Sequence, residues 1–363
     1  MKTRILLLLA GATASLWAAQ SHAQSAVFPG ATWEKRTPEE AGLDTATLDT
    51  IRDFCQGRGC VVRHGCMVYA WGDVAQAGDV ASAAKPWFAH FLLRAVESGK
   101  LKDMDVRASE FTTGLRDINP ALGHKDASIT FRHLVTQTSC YGVSEKPGDA
   151  FDYNDWQTAL FFDTLFLKVY GATYDTVDEQ VLHAGLTDAL HCEDEPTFRV
   201  FGEDRVGRLG VSPRDFARFG HLYLHEGDWN GTRLLSREHA RMAVTSPLPA
   251  SLPRTSGVAA DMLPGARTIG SQKIPDNQTD HGGSYSFMWW VNGVDRDGKR
   301  NWPDAPEDVF AALGHANGMR GMAVFPSQDI VMSWNDTVID GMPEESNPLN
   351  RMFSLLSKAV KEK

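Results

Sequence analysis

The sequence predicts an α+β fold, in which an antiparallel sheet is built from both ends of the chain and a mainly helical lobe is inserted between them. Near the start, two β-branched and apolar runs meet at His64-Gly65, the pattern of a β-hairpin. Strand-like runs return only late, at 286–291, 310–314, 321–325 and 330–334, with a turn at 326–329. The sheet lobe is therefore expected at about 24–96 and 284–363, and the helical lobe at about 97–283.

Helical patterns predict the remaining elements. Asp44 is a suitable N-cap for a helix over 44–55, and Pro86 fits the first turn of a second helix. Further helices are expected at 156–169, 213–224, 236–244 and 348–360, and a long loop at 247–283. In the helix at 213–224, the spacing directs three apolar residues inward and three polar residues outward; the outward ones are Asp215, Arg218 and His221.

The first residues predict a cleaved export signal. Lys2 and Arg4 precede a short apolar run, and 21–23 reads SHA, a small-x-small cleavage site. Removal of residues 1–23 would leave 24–363 as one exported domain, periplasmic or secreted. No later segment predicts a membrane span. The net charge of -10 over 363 residues disfavours nucleic acid and anionic membranes as partners.

The odd number of cysteines predicts at least one free thiol or an intermolecular disulfide; the five are Cys55, Cys60, Cys66, Cys140 and Cys192. Spacing does not determine connectivity; among the pairings, we expect Cys140 with Cys192. No C-x-x-C, H-E-x-x-H or other clustered ligand set occurs in the sequence, so neither a metal nor a cofactor is predicted.

The segment Ser82-Ala83-Ala84-Lys85 is the single S-x-x-K of the chain. A serine and a lysine three residues apart lie on one face of a helix. A lysine amine in a water-poor cleft can take the serine proton and so activate a nucleophile. The alternative is a serine N-cap with a solvated lysine.

Three later segments, taken together with this tetrapeptide, match the ordered motifs of one protein family. They read ITFRHLVTQTS at 129–139, PGDAFDYNDW at 147–156 and GVSPRDFARFG at 210–220. Together they resemble the serine β-lactamase and penicillin-binding protein superfamily, in particular its class C-like esterase and D-aminopeptidase branch. The resemblance covers most of the mature chain and implies a β-lactamase/transpeptidase-like fold.

The resemblance implies roles for individual residues. Ser82 would be the acylated nucleophile, and Lys85 and Tyr153 would share its proton and pass one to the leaving group. The oxyanion would lie between the Ser82 backbone N–H and an N–H of an opposite strand that normally carries K-T-G or H-x-G. Here the third motif reads GHANG at 314–318, so His315 matches the histidine, Asn317 replaces the glycine and Gly318 follows. A turn with a solvated histidine is the alternative.

The second motif also departs from the family pattern. The usual Y-x-N reads Tyr153-Asn154-Asp155, which places a carboxylate where the family has an amide. A carboxylate facing Lys85 favours its ammonium form. We therefore hypothesise that Tyr153 does more of the proton abstraction, while Lys85 holds the phenolate electrostatically. The alternatives are an N-cap role for Asp155 and a core role for Tyr153.

Candidate substrate contacts are less specific. Aromatic residues near the predicted cleft are candidates for an apolar acyl or alcohol pocket, although core packing suits each of them as well. They are Trp87, Tyr141, Trp156, Trp289 and Trp290. Arg320 is a candidate for binding a substrate carboxylate, with a surface salt bridge as the alternative.

The function predicted from these features is an exported serine hydrolase that forms an acyl-enzyme at Ser82, with a small ester as its substrate. An amidase, a D-amino-acid peptidase or a β-lactam-recognising enzyme of the same superfamily is the first alternative. A catalytically inactive ligand-binding protein on this fold is the second, motivated by the changes at Asp155 and Asn317. The retained Ser82, Lys85 and Tyr153 argue against the second alternative.

Overall fold

The computed structural model of the protein describes residues 26–315, 318–343 and 347–361. The predicted export signal at 1–23 and Asn317 of the third motif lie outside the described residues. None of the helices within these ranges is long and apolar enough to cross a membrane.

Ten strands occur in the described ranges: β1 (Arg58–Arg63), β2 (Cys66–Trp71), β3 (Gly78–Asp79), β4 (Gly210–Val211), β5 (Asp228–Trp229), β6 (Thr232–Arg233), β7 (Trp290–Val291), β8 (Phe310–Gly314), β9 (Arg320–Phe325) and β10 (Ile330–Asn335). Six of them form one antiparallel sheet in the order β2-β1-β10-β9-β8-β7. β1 pairs with β10, which joins the two ends of the chain in the sheet centre. This topology confirms the predicted sheet.

Seven α-helices accompany the strands in the same ranges: α1 (Thr45–Cys55), α2 (Lys85–Glu97), α3 (Phe131–Val135), α4 (Asp155–Phe162), α5 (Pro213–Leu224), α6 (Arg237–Ala243) and α7 (Pro348–Ala359). α4 continues as a π-helix over Asp163–Val169, and a second π-helix covers Asp178–Thr187. Short 3-10 turns complete the chain, of which Ala81–Ala84 directly precedes α2. α3, α4 and both π-helices lie between the two sheet-forming parts of the sequence, as the predicted inserted lobe requires.

Two hydrophobic layers cover the two faces of the sheet, because successive strand residues point to opposite sides. Val61 of β1 belongs to the layer that contains α1 and α7. The next residue, Val62, belongs to the layer that contains α2, α5 and much of the helical lobe. α2 is therefore held between the sheet and the helical lobe, and its first turn lies where the two meet.

The prediction that the polar side of α5 faces solvent is wrong. Asp215, Arg218 and His221 are fully buried, because other parts of the chain cover that face. Asp215 accepts hydrogen bonds from the backbone N–H groups of residues 193 and 194 at 2.8 and 2.7 Å. Arg218 donates to the carbonyl of Gly30 at 3.0 Å, and His221 contacts that of Val27 at 2.9 Å.

Two further expectations are corrected. The strand predicted at 286–291 shortens to β7, because Met288 has a φ of 62° and the chain turns there. All five cysteines lie in the described part of the chain, and all are free thiols. The expected pair does not form because Cys140 packs in a small cluster with Val143 and Ala150, whereas Cys192 packs against the main core.

Candidate active site

Ser82 lies on the short 3-10 turn that leads into α2. Ala81, the residue before it, has a φ of 50°, and its N–H donates to Asp79 Oδ1 at 3.0 Å. Asp79 is itself held by ion pairs with Arg208 and Arg320. A Cβ on Gly314, at the end of β8, would lie 2.2 Å from the Val80 carbonyl oxygen. The glycine thus allows β8 to approach the turn that carries Ser82 closely.

Lys85 contacts all three residues that the sequence places with it, Ser82, Tyr153 and Asp155. Its Nζ donates to Ser82 Oγ at 2.8 Å and to Asp155 Oδ1 at 3.0 Å, and it lies 4.5 Å from the centroid of the Tyr153 ring. The Lys85 side chain is 1% exposed, so these contacts replace its hydration. The structure therefore brings together Ser82, Lys85, Tyr153 and Asp155, and the solvated-lysine alternative does not hold.

Asp155 is the first residue of α4 rather than its N-cap. The cap is Asn154, whose side chain accepts from the Gln157 N–H at 2.7 Å. The second carboxylate oxygen of Asp155 accepts from the Ser271 N–H at 2.9 Å and from Gln278 Nε2 at 3.0 Å. Asp155 thus accepts hydrogen bonds from two fixed donors in addition to Lys85.

The charges of this pair follow from its surroundings. Burial alone lowers the pKa of Lys85, but the adjacent Asp155 carboxylate and Tyr153 together outweigh burial and raise that pKa above its usual range. Burial likewise raises the pKa of Asp155, but the Lys85 charge and the hydrogen bonds to the carboxylate outweigh it, and the pKa is lowered. The resting site therefore contains an ammonium and a carboxylate. In this form Lys85 can donate to Ser82 but cannot take its proton.

Ser82 and Tyr153 open onto a cleft of about 560 Å³. Trp290 and His315 also line it, and His315 is exposed at the end of β8. Tyr153 packs against Trp290 and Tyr285, with ring centroids at 6.1 and 5.7 Å. Among the described residues, no group of three or more His, Cys, Asp or Glu side chains is placed to hold a metal ion.

Most of the other predicted contacts lie away from this cleft. Trp87 and Trp289 are fully buried, and both stack on Phe219, at 4.5 and 5.7 Å, because α2, α5 and the segment before β7 pack together there. The Tyr141 hydroxyl accepts from the Leu263 N–H at 2.9 Å. Trp156 Nε1 donates to the Lys273 carbonyl at 3.0 Å.

Two other predicted site residues have structural partners. Arg320 pairs with Asp79 rather than facing the cleft, so it is not placed to bind a substrate carboxylate. Gly318 is buried, and its carbonyl accepts from Trp334 Nε1 at 2.6 Å. A Cβ on Gly318 would lie 2.8 Å from Leu349, a residue that lines the cleft. Both residues thus support the walls of the site.

Sequence reasoning missed several residues that build the site. Gln278 links its parts: its side chain donates to Asp155 and to Asp276, and its backbone N–H donates to the Tyr153 carbonyl at 3.1 Å. Gln278 and Ser271 belong to the irregular segment at 247–283, which carries no periodic pattern. Their contacts join positions more than a hundred residues apart, so no local signal in the sequence indicates them.

Asp152, next to Tyr153, predicts a pH dependence of stability. It is fully buried, its Oδ2 accepts from Asn154 Nδ2 at 2.6 Å, and its Oδ1 has no partner in the described chain. Burial raises its pKa to about 7. Because the folded state then holds this proton more tightly than the unfolded state, stability falls as pH rises from about 4 to about 7, by up to about 4 kcal/mol in all.

We expect Asp152→Asn to remove this loss. The free energy of unfolding, measured by urea titration at about pH 5.5 and about pH 8.5, should fall less in the variant than in the wild type. Asp149→Asn, at an exposed site nearby, is the control and should behave as the wild type does. Equal pH dependence in all three proteins would contradict the prediction.

Comparisons with known proteins bear on the fold. No protein-family model matches the sequence, and no curated protein matches it. Among solved structures, the chain is similar to a Bacillus anthracis protein assigned as a 6-aminohexanoate-dimer hydrolase, with a TM-score of 0.60 and 15% identity over 91% of this chain and 86% of that one. It is similar to a β-lactamase from Mycobacterium bovis, with a TM-score of 0.56 and 17% identity over 86% of this chain and 99% of that one.

A third similar structure is EstCE1, a hydrolase with promiscuous acyltransferase activity. Its TM-score is 0.56 and its identity 12%, over 87% of this chain and 97% of that one. In each of these three cases the similarity extends over most of both chains. The chain therefore has the fold of the serine β-lactamase and penicillin-binding protein superfamily.

Proposed function

We propose that this protein is a serine hydrolase that forms an acyl-enzyme at Ser82 and acts on esters of small carboxylic acids. The observation that carries the proposal is the 2.8 Å hydrogen bond between Lys85 Nζ and Ser82 Oγ at the wall of an open cleft. A serine oxygen that accepts from a buried ammonium keeps its own proton available for transfer to a base. The structural similarity to EstCE1, which is described as a hydrolase, is consistent with this reaction class.

The proposed reaction assigns a role to each group. Ser82 Oγ attacks the carbonyl carbon of the ester while its proton passes to the Tyr153 oxygen, and the Lys85 ammonium stabilises the negative charge at Tyr153. Collapse of the tetrahedral intermediate breaks the acyl C–O bond, and the alcohol leaves with the proton from Tyr153. A water molecule then attacks the acyl carbon while one of its protons passes to Tyr153, and the bond between the acyl carbon and Ser82 Oγ breaks. The carboxylic acid is released, and the proton returns from Tyr153 to Ser82 Oγ.

The ion pair between Lys85 and Asp155 favours esters over amides. A lysine held as an ammonium by a carboxylate at 3.0 Å does not serve as a second base. An amide nitrogen needs a proton before it can leave, whereas an alkoxide leaves with less assistance. A site with one proton carrier is therefore better suited to ester hydrolysis.

Covalent labelling tests the proposal. Intact mass is measured after incubation with a fluorophosphonate and, separately, with a penicillin, on the wild type, Ser82→Ala and Ser98→Ala. Ser98 is an exposed serine at the opposite end of α2 and serves as the matched control. We expect the fluorophosphonate to add one phosphonyl group to the wild type and to Ser98→Ala, but none to Ser82→Ala.

Other outcomes have distinct meanings. A penicillin adduct at Ser82 would indicate a β-lactam-recognising enzyme. The absence of any adduct on folded wild-type protein would favour the ligand-binding alternative and overturn the acyl-enzyme.

We also propose, from the pattern of residues 1–23, that the protein is exported. The same spectra test this, because export with cleavage predicts a chain that begins at Gln24.

A further inference from the structure

We infer that the cleft selects an uncharged acyl group and discriminates against substrates that carry a carboxylate on the acyl chain. This inference rests on the proposed function, because it specifies the substrate class of that same site. It follows from three features: the charged residues on the walls of the cleft, the ion pairs of cations in the surrounding fold, and the apolar side chains at the surface of the cleft.

The charges on the walls do not favour an anion. Among the described residues that line the cleft there is no arginine or lysine, and Asp280 is the one carboxylate. The segments at 316–317 and 344–346, outside the described ranges, read AN and EES and so contain no arginine or lysine either. The described wall of the cleft therefore offers no arginine or lysine to an anion.

Three cations of the surrounding fold already have carboxylate partners. Lys85 is bound to Asp155, and Arg320 to Asp79. Arg296 donates to Asp280 at 2.6 Å and does not itself line the cleft. Burial raises the pKa of Asp280, but the hydrogen bonds from Arg296 and from the His281 N–H, with the charges beside it, together outweigh burial and lower that pKa, so Asp280 is ionised. An acyl carboxylate would lose hydration without gaining a cationic partner, and it would meet this like charge.

Apolar side chains form much of the remaining wall. Trp290, Trp302, Leu313 and Leu349 line the cleft together with Tyr153. Leu313 is half-buried on β8, one residue before Gly314, which contacts the turn that carries Ser82. An aliphatic acyl chain gains from contact with these side chains, whereas a terminal carboxylate does not.

Two esters of equal length test the inference. p-Nitrophenyl hexanoate and mono-p-nitrophenyl adipate differ only at the end of the acyl chain, which is a methyl group in the hexanoate and a carboxylate in the adipate. We expect the wild type to hydrolyse the hexanoate with a kcat/KM at least about 100-fold higher. Leu313→Lys should narrow this ratio by about 10-fold relative to Leu313→Met, which has similar length and flexibility but no charge. Because the ratio is taken within each protein, differences in the folded fraction cancel.

The inference is overturned if the wild type hydrolyses both esters equally well, or if the lysine and methionine variants give the same ratio. A second measurement separates this from failure of the proposed function. Binding of hexanamide and of adipic acid monoamide to Ser82→Ala is measured by calorimetry, which needs no turnover. Tighter binding of the neutral amide supports the inference even if neither ester is hydrolysed. Equal or tighter binding of the acid contradicts it.

Discussion

Replacement of Lys85 by methionine is expected to lower kcat/KM for ester hydrolysis by about 10³-fold and to destabilise the folded protein. The activity falls because Ser82 loses its hydrogen bond from Lys85 and the charge that stabilises Tyr153 during proton transfer is removed. The stability falls because Asp155, which is buried, becomes a carboxylate without a counter-ion. Loss of one partner of a buried ion pair costs about 3–5 kcal/mol.

The double variant Lys85→Met/Asp155→Asn separates these two effects. Its asparagine carries no charge and can still accept from the Ser271 N–H through its amide oxygen. We therefore expect urea unfolding to show that the second substitution restores most of the lost stability, while the double variant stays inactive. Wild-type stability in Lys85→Met alone would mean that Asp155 does not depend on Lys85 for its charge. Recovery of activity in the double variant would contradict the role of Lys85 in the reaction.

The part of the site that could be predicted from the sequence is the part that is local. Ser82 and Lys85 are three residues apart, and their relation follows from the geometry of one helical turn. The sheet was also predictable, because β1, β2, β8, β9 and β10 show the apolar and β-branched runs of strands with a layer on each face.

The parts that could not be predicted depend on what covers a surface. The polar side of α5 has the spacing of a solvated helix face, yet the chain at 27–31 and 190–194 lies over it and binds Arg218 through backbone carbonyls. Likewise, Trp87 and Trp289 are of a residue type that often lines substrate pockets, but both pack on Phe219 in the core. Spacing indicates which residues share a side of a helix. It does not indicate which segment packs there.

Asp155 has one feature that the sequence predicts and one that it does not. Its position beside Tyr153 was visible in the sequence, but its fit to the surrounding chain was not. A Cβ on Gly270 would lie 2.2 Å from Asp155 Oδ2, so the glycine allows the following Ser271 N–H to reach the carboxylate. With Lys85 and Gln278 as the other donors, the side chain at 155 accepts from every partner. An asparagine would direct N–H groups at one of these donors. The site is therefore built for a carboxylate at this position.

This fit makes Asp155→Asn the sharpest test of how the proton moves. In the wild type, Asp155 raises the pKa of Lys85, so the lysine remains an ammonium at any ordinary pH. In the variant, burial is no longer opposed by the carboxylate, and the pKa of Lys85 falls. Lys85 therefore releases its proton more readily. The acidic limb of the kcat/KM profile should therefore move to lower pH by about one unit or more.

The control is Asp163→Asn, which removes a carboxylate just beyond the end of α4 that pairs with Arg267 rather than Lys85. Its acidic limb should coincide with that of the wild type. Profiles are compared within the pH range in which near-UV circular dichroism shows each variant to be folded. If the limb of Asp155→Asn also stays in place, the carboxylate does not set the charge of Lys85. Proton abstraction by Tyr153 beside a fixed ammonium would then be wrong, and Lys85 itself would be the base.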